Sequence, residues 1–132
     1  MARTEEAAAW FAAVYRAVQE IPHGRVTSYG HIARLLGRQP RQVGVCLKHL
    51  PSAASGSRWH DGNVPWQRVI NAKGGISPRG PGGASGQAAA LRQEGVTVDE
   101  GSLGEFSVDL QAYGWFPDVL PSEEGEDSEE DE

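Results

Sequence analysis

The strongest constraint on the fold is a pair of short apolar-patterned segments separated by a glycine and a proline. The first segment begins at Thr27 or Ser28, either of which can cap a helix through its hydroxyl, and ends at Leu36. Gly37 suits the left-handed residue after a helix, and Pro40 suits the first turn of the next helix, which continues through RQVGVCLKHL. Two short helices joined in this way, the second positively charged, predict a helix-turn-helix, although any helical hairpin shares the pattern.

A longer helix is predicted upstream, where residues 7–21 carry apolar side chains at helical spacing and Pro22 and Gly24 end the pattern. Its apolar stripe for packing consists of Phe11, Val14, Tyr15, Val18 and Ile21.

The downstream half predicts a small β component and one more helix. The run VPWQRVI predicts a strand, and NAKGG supplies a turn after it. Residues 78–86 hold two prolines and four glycines and predict a loop, whereas QAAALRQEG predicts a short helix closed by Gly95. Two short strands around a Gly/Ser turn are predicted in VTVDEGSLGEFSVDL. We therefore expect a mainly α domain with a small β-hairpin in residues 1–118, and a disordered acidic tail in residues 119–132.

The charges are strongly segregated along the chain. The formal net charge is −6, but eight of the 18 acidic residues lie in the last ten positions. Between Arg25 and Arg79 there are nine Lys and Arg residues against one acid, Asp61, a net charge of +8. A basic face of this kind suits a polyanion, and the tail would repel one. The tail therefore has two candidate roles, as an intramolecular mimic of DNA or as an aid to solubility.

Several classes of protein are excluded at this level. A single cysteine, Cys46, makes no internal disulfide and supports no thiolate metal site alone, and the histidines lack the usual zinc spacings. No apolar run approaches the ~20 residues that span a bilayer, and Glu5 and Glu6 lie where a signal peptide carries positive charge. We expect a soluble protein of a reducing compartment, without membrane contact, cofactor or metal.

The motifs VTSYGHIA, RQVG and VPWQRVINAKGGIS, in this order, resemble the DNA-binding domain of the O6-alkylguanine-DNA alkyltransferases over about residues 10–116. In that family the run corresponding to PWQRVI reads Pro-Cys-His-Arg-Val, and the cysteine accepts the alkyl group. Trp66 stands at the cysteine position, as in the alkyltransferase-like proteins, which bind alkylated guanine without repairing it. The resemblance implies a winged helix-turn-helix domain of the alkyltransferase type.

The residues at the acceptor position agree with a protein that is not an enzyme. Dealkylation needs a thiolate activated by a neighbouring base, but the indole of Trp66 is no nucleophile and Gln67, at the family's histidine position, takes no proton. Glu94 resembles the carboxylate that completes the transferase relay. Cys46 has the helical spacing of a packed face, where a lone cysteine is most often a small buried hydrophobe. An active transferase that uses Cys46 is the enzyme alternative.

The resemblance also assigns roles on the DNA. Tyr29 resembles the tyrosine that crowds a phosphate and helps to rotate the nucleotide, although a core tyrosine is the plain alternative. Arg41 resembles the arginine that fills the stack left by the extruded base, and it lies in a first helical turn, where the helix dipole disfavours a cation. The small residues around Gly44 suit close backbone approach in the minor groove better than base reading.

The remaining site residues line the predicted pocket or touch the backbone. Trp66 would form a wall beside the alkyl group, and Arg79 resembles the arginine placed over the flipped base, although a solvated loop arginine fits equally. Pro65, Gln67, Arg68 and Glu94 belong to the structural motif, with Arg68 fixing the loop internally. The expected phosphate contacts are Arg34, Arg38 and Lys48.

The function that follows is recognition of O6-alkylguanine in double-stranded DNA by base flipping, by a monomer, with nucleotide excision repair proteins as partners. We expect nuclear localisation in a eukaryote, and otherwise a cytoplasmic, nucleoid-associated protein. The alternative is a sequence-specific helix-turn-helix regulator, which the scarcity of base-reading side chains on the second helix disfavours.

Overall fold

The computed structural model describes residues 5–77 and 83–124. Its helices are α1 (Glu5–Gln19), α2 (Tyr29–Leu36), α3 (Pro40–Lys48), α4 (Gly83–Gln93) and α5 (Leu110–Tyr113). Its strands, of two residues each, are β1 (Thr27–Ser28), β2 (Val69–Ile70), β3 (Asp99–Glu100) and β4 (Phe106–Ser107). Strands β3 and β4 form the predicted antiparallel hairpin, whereas β1 pairs in parallel with β2. The predicted class, mainly helical with a small β-hairpin, is confirmed.

The helix-turn-helix forms from the local signals that predicted it. Ser28, rather than Thr27, caps α2, because its Oγ accepts a hydrogen bond of 3.0 Å from the backbone N–H of His31. Gly37 adopts φ of 70°, the left-handed conformation expected after a helix. Pro40 is the first residue of α3, which ends at Lys48, slightly before the predicted end near Leu50.

Two apolar clusters hold the elements together. The first packs α1 against α2 and α3; Val14, Tyr15 and Val18 of α1, and Ile21 just after it, are each at most 1% exposed. The second joins β1 and β2 to α4 and the hairpin through buried residues, namely Val26, Ile70, Ile76, Ala88, Leu91, Val96, Val98 and Val108. The parallel pairing of Thr27 with Val69 ties the start of the helix-turn-helix to the segment after Trp66.

Two predicted boundaries around the motif are wrong. The strand expected over VPWQRVI is confined to β2, because Arg68 N–H donates to the carbonyl of Pro65 at 3.0 Å and closes residues 66–68 into a 3-10 turn. The loop expected over residues 78–86 ends earlier, because α4 begins at Gly83; residues 78–82 lie outside the described ranges. Tertiary packing of Ala88 and Leu91 extends this helix into glycines of low helix propensity.

Packed residues continue past residue 118, where the sequence predicts the end of the domain. Leu120 is 5% exposed and packs in the first cluster, and residues 121–124 form a helical turn. Ser122 bonds the Glu20 carboxylate through its N–H at 2.9 Å and its hydroxyl at 2.8 Å. The packed domain therefore includes this segment, and residues 125–132 lie outside the described part of the chain. Within that part, no helix has the length and apolarity of a membrane span.

Candidate nucleic-acid interface

The N-termini of α2 and α3 meet. A Cβ atom placed on Gly30 would lie 3.8 Å from Cγ of Pro40, so the first turns of the two helices are in contact. Tyr29 and Arg41 are the chain neighbours of these two residues. The contact therefore brings two predicted site residues to one end of the helix pair, where both helix dipoles present their positive ends.

Tyr29 and Arg41 differ in their surroundings. Tyr29 is partly buried and packs against the first apolar cluster, so its ring belongs to the core as well as to the helix end. Arg41, the second residue of α3, is exposed. Gly44 is buried on α3, so its own side of the helix is covered, and the short side chain of Val45 beside it is 43% exposed.

The predicted phosphate-contacting side chains of the helix-turn-helix are exposed, but one of them already has an aromatic partner. Arg34 and Lys48 project from α2 and α3 into solvent. The guanidinium of Arg38 lies 5.1 Å from the ring centroid of Trp10, a residue of α1. Arg38 is therefore held toward α1 by a cation–π contact, and its predicted phosphate contact stays a prediction.

We call the run PWQRVI, residues 65–70, the acceptor motif, and it begins with a compact turn. Trp66 is partly buried at the start of this turn, after Pro65, whose carbonyl accepts from Arg68 N–H at 3.0 Å. The Arg68 side chain donates from Nη1 to the carbonyl of Ile21 at 2.8 Å and from Nε to the Glu94 carboxylate at 2.9 Å. These contacts agree with the predicted internal role of Arg68.

Glu94 is the centre of a hydrogen-bond network. Its side chain is 7% exposed, and it accepts bonds from Arg68, from Gln67 Nε2 at 2.7 Å and from Gly24 N–H at 2.8 Å. Burial alone would raise the pKa of Glu94, but the bonds from Arg68, Gly24 and Gln67 together outweigh it. The pKa of Glu94 therefore lies below its ordinary value. Glu94 is therefore ionised at neutral pH, and because its partner at position 67 is an amide, it has no base to orient.

Cys46 offers no alternative nucleophile at the surface. Its side chain is completely buried in the first apolar cluster, and its backbone carbonyl accepts from the Tyr15 hydroxyl at 2.7 Å. A thiol enclosed in this way reaches no DNA without unfolding of α3.

Sequence reasoning missed one buried positioning residue. Gln87, which is 4% exposed, donates from Nε2 to the carbonyls of Gln67 at 3.0 Å and Val69 at 2.9 Å. The signal available in the sequence was a single amide side chain beside the alanines of GQAAAL.

Arg79, the arginine predicted to cover the flipped base, lies outside the residues that the structure describes.

Fold and site together define a helix-turn-helix DNA-binding domain with an indole and an amide in its acceptor motif. The family model of the 6-O-methylguanine DNA methyltransferase DNA-binding domain matches residues 9–96. Alkyltransferase-like protein 1 of Schizosaccharomyces pombe is 42% identical over 111 residues, which cover 82% of this chain and 95% of that protein. The DNA base-flipping protein of Escherichia coli is 42% identical over 104 residues, 77% of this chain and 70% of that protein.

The solved structures that match this chain come from the same two groups of proteins, alkyltransferase-like proteins and methyltransferases. Atl1 of S. pombe, in complex with damaged DNA containing O6-carboxymethylguanine, matches with a TM-score of 0.70 at 41% identity, covering 88% of this chain and 100% of that one. The O6-methylguanine methyltransferase of Mycobacterium tuberculosis matches with a TM-score of 0.53 at 33% identity, covering 70% of this chain and 50% of that one. The chain belongs to the family of 6-O-methylguanine DNA methyltransferase DNA-binding domains and, within it, to the alkyltransferase-like proteins.

Proposed function

We propose that this protein recognises O6-alkylguanine in double-stranded DNA by base flipping and holds the base without catalysis. The observation that carries the proposal is the pair Trp66 and Gln67: an indole stands in the acceptor motif, and the neighbouring amide donates its hydrogen bond to Glu94. The names of the relatives support base flipping, and the complex of S. pombe Atl1 with O6-carboxymethylguanine DNA supports the class of lesion.

The junction of α2 and α3 supplies the parts for extruding a nucleotide. A phosphate beside Tyr29 would face the positive ends of both helix dipoles. The exposed side chain of Arg41 fills the gap left in the base stack, while the short side chain of Val45, exposed beside the buried Gly44, leaves room for the backbone of α3 to approach the minor groove. Extrusion costs a few kcal/mol, which these contacts offset.

The extruded base is held beside Trp66. The indole forms an apolar wall for the alkyl group, worth ~1–3 kcal/mol of discrimination per methylene, so selectivity among adducts is graded. Arg79 covers the base in this proposal, as a cation over an aromatic ring.

A protein that holds a lesion without repairing it leaves the removal to other proteins. We propose that a monomer presents the bound lesion to nucleotide excision repair proteins. Incision of a lesion-containing duplex by purified excision repair proteins is expected to accelerate when this protein is added. Unchanged incision would reject this step and leave lesion binding intact.

The proposed function is tested by fluorescence-anisotropy titration of two duplexes that differ in one O6-methylguanine. We expect tighter binding of the lesion duplex and loss of this preference in Arg41→Ala and Tyr29→Ala. Arg41→Lys is the matched control, because it keeps the charge and loses the planar group. We expect it to retain affinity for undamaged DNA better than Arg41→Ala, but to recover little of the lesion preference.

Equal affinity of the unaltered protein for the two duplexes would overturn the proposal and leave a general DNA-binding module. Circular dichroism of Tyr29→Ala distinguishes loss of the phosphate contact from loss of fold, because this ring also packs in the core. A footprint on one undamaged sequence would favour a sequence-specific regulator instead.

A further inference from the structure

The loop of residues 51–63 carries an aromatic and basic cluster that lesion recognition does not use. The guanidinium of Arg58 lies 5.0 Å from the ring centroid of Trp59, and that of Arg16, from α1, lies 5.5 Å from it. The Tyr15 ring packs on the same indole, with centroids 6.0 Å apart. We call Arg16, Arg58 and Trp59 the Trp59 cluster. Its indole is partly buried and both arginines are exposed.

The two guanidiniums of the Trp59 cluster have no carboxylate partner among residues 5–77 and 83–124. Asp61, the acid of the same loop, accepts from the backbone N–H of Ala53 at 3.0 Å. Stacking on an indole already restricts both guanidiniums, so binding an anion there costs less side-chain entropy than binding it to a free arginine. The cluster is therefore a prepared site for carboxylates.

A carboxylate-rich part of the same chain begins next to this site. Glu20 accepts both hydrogen bonds from Ser122, and it follows Arg16 by four residues, about one helical turn or ~6 Å along the axis. Glu20 directly follows α1 and continues its path by one residue, because its N–H donates to the carbonyl of Ala17 at 3.1 Å. Ser122 is thus fixed on the side of α1 that carries Arg16.

The residues after Ser122 form what we call the acidic run, residues 123–132, of which eight are Glu or Asp. The structure describes this run as far as Glu124, and both Glu123 and Glu124 are exposed. Eight further residues span up to ~26 Å when extended, several times the rise of ~6 Å along the helix axis from Arg16 to Glu20, the residue that holds Ser122. A tether this short gives the carboxylates a millimolar local concentration at the cluster.

We propose that the acidic run binds in cis to the Trp59 cluster, with its carboxylates on the guanidiniums of Arg16 and Arg58. Because exposed ion pairs are individually weak, the interaction depends on several carboxylates and on the tether. It weakens as added salt screens the charges. The site is distinct from the junction of α2 and α3, and the inference stands independently of lesion binding.

Paramagnetic relaxation in the full-length chain tests this inference. A nitroxide is attached to Ser128→Cys, and the buried Cys46 stays unlabelled. At low salt we expect loss of peak intensity at the amides of Arg16, Arg58 and Trp59 and at the Trp59 indole N–H, and recovery of these peaks in 0.5 M salt (about a 4 Å Debye length).

Charge variants assign the effect to the cluster. Arg58→Gln and Arg16→Gln are expected to restore most of the lost intensity, whereas Lys73→Gln, which removes an exposed charge elsewhere, is expected to leave the loss unchanged. Restoration by Lys73→Gln to the same extent would show that net charge, and not this site, attracts the run.

Three other results would overturn the proposal. No intensity loss at low salt shows that the run does not bind. Loss at the amides of Gly30 and Arg41 instead places the run on the DNA-binding junction. Loss in an isotope-labelled chain mixed with an unlabelled, nitroxide-carrying one, at the strength seen within a single chain, shows binding between copies.

Discussion

Gln67 donates a hydrogen bond of 2.7 Å from its amide to the Glu94 carboxylate, so these two predicted motif residues are in direct contact. The same carboxylate binds Arg68 and the backbone of Gly24. Glu94 therefore joins the end of α4 to the acceptor motif and to the turn after α1. The contacts of its carboxylate are therefore structural ones within this chain.

Removing the charge at Glu94 is expected to destabilise the fold. Glu94→Gln breaks a pair whose side chains are 14% (Arg68) and 7% (Glu94) exposed, and it leaves the guanidinium without its anion. We expect a loss of about 2–3 kcal/mol in the free energy of unfolding, measured by urea titration. Glu100→Gln, at an exposed position of β3, is the control and is expected to change stability by less than about 0.5 kcal/mol. Equal effects of the two substitutions would contradict the structural role.

The same carboxylate predicts an acid-dependent loss of stability. The pKa of Glu94 is lower in the folded chain than in the unfolded one, where a glutamate titrates near about 4.3. The stabilisation is therefore complete above the unfolded pKa and disappears as the pH falls through the folded pKa. Unfolding free energies measured between about pH 6 and pH 3 should fall less steeply in Glu94→Gln than in the unaltered protein. Parallel curves would show that other acids dominate the transition.

We predict that two substitutions in the acceptor motif are needed to give this chain alkyl-transfer activity. Trp66→Cys supplies a thiol but no base, because Gln67 accepts no proton, so we expect no transfer from labelled O6-methylguanine DNA. Adding Gln67→His places an imidazole where a side chain already reaches Glu94, and we expect measurable labelling of the protein. Gln67→His alone controls for transfer to other residues. Labelling of the single Trp66→Cys variant would mean that another group activates the thiol.

The exposed basic residues predict a separation of affinity from lesion preference. Lys48→Gln is expected to weaken binding of damaged and undamaged duplexes by the same factor and to reduce the slope of log K against log salt by about 0.9. Arg41→Ala is expected to change the ratio of the two affinities instead. Anisotropy titrations at four salt concentrations measure both quantities, with Lys73→Gln as the exposed control. A change in lesion preference in Lys48→Gln would place this side chain near the base.

Local signals were sufficient for the helix-turn-helix because each of its turns is specified by a residue with a strong conformational preference. Ser28 caps α2, Gly37 takes the left-handed conformation after it, and Pro40 is the first residue of α3. Each of these preferences is a property of the residue and its immediate neighbours. The motif resemblance then predicted roles on the DNA for Tyr29, Arg41 and Trp66.

What the sequence did not reveal depends on contacts between distant segments. The contact of Gly30 with Pro40, the start of α4 at Gly83 and the burial of Leu120 arise from packing that no local pattern encodes. Leu120 in particular stands beside an acidic run whose composition predicts disorder, and its burial against the helices overrides that composition.

The last prediction concerns Gln87, whose amide donates to two backbone carbonyls of the acceptor motif. Gln87→Leu keeps the volume approximately but leaves the carbonyls of Gln67 and Val69 without their donor, which should cost about 1–3 kcal/mol. Because both carbonyls belong to the segment that carries Trp66, we also expect a reduced lesion preference. Gln93→Leu, exposed on the same helix, is the control for both readouts. A loss of stability without any change in lesion preference would show that Gln87 supports the fold and leaves the position of Trp66 unaffected.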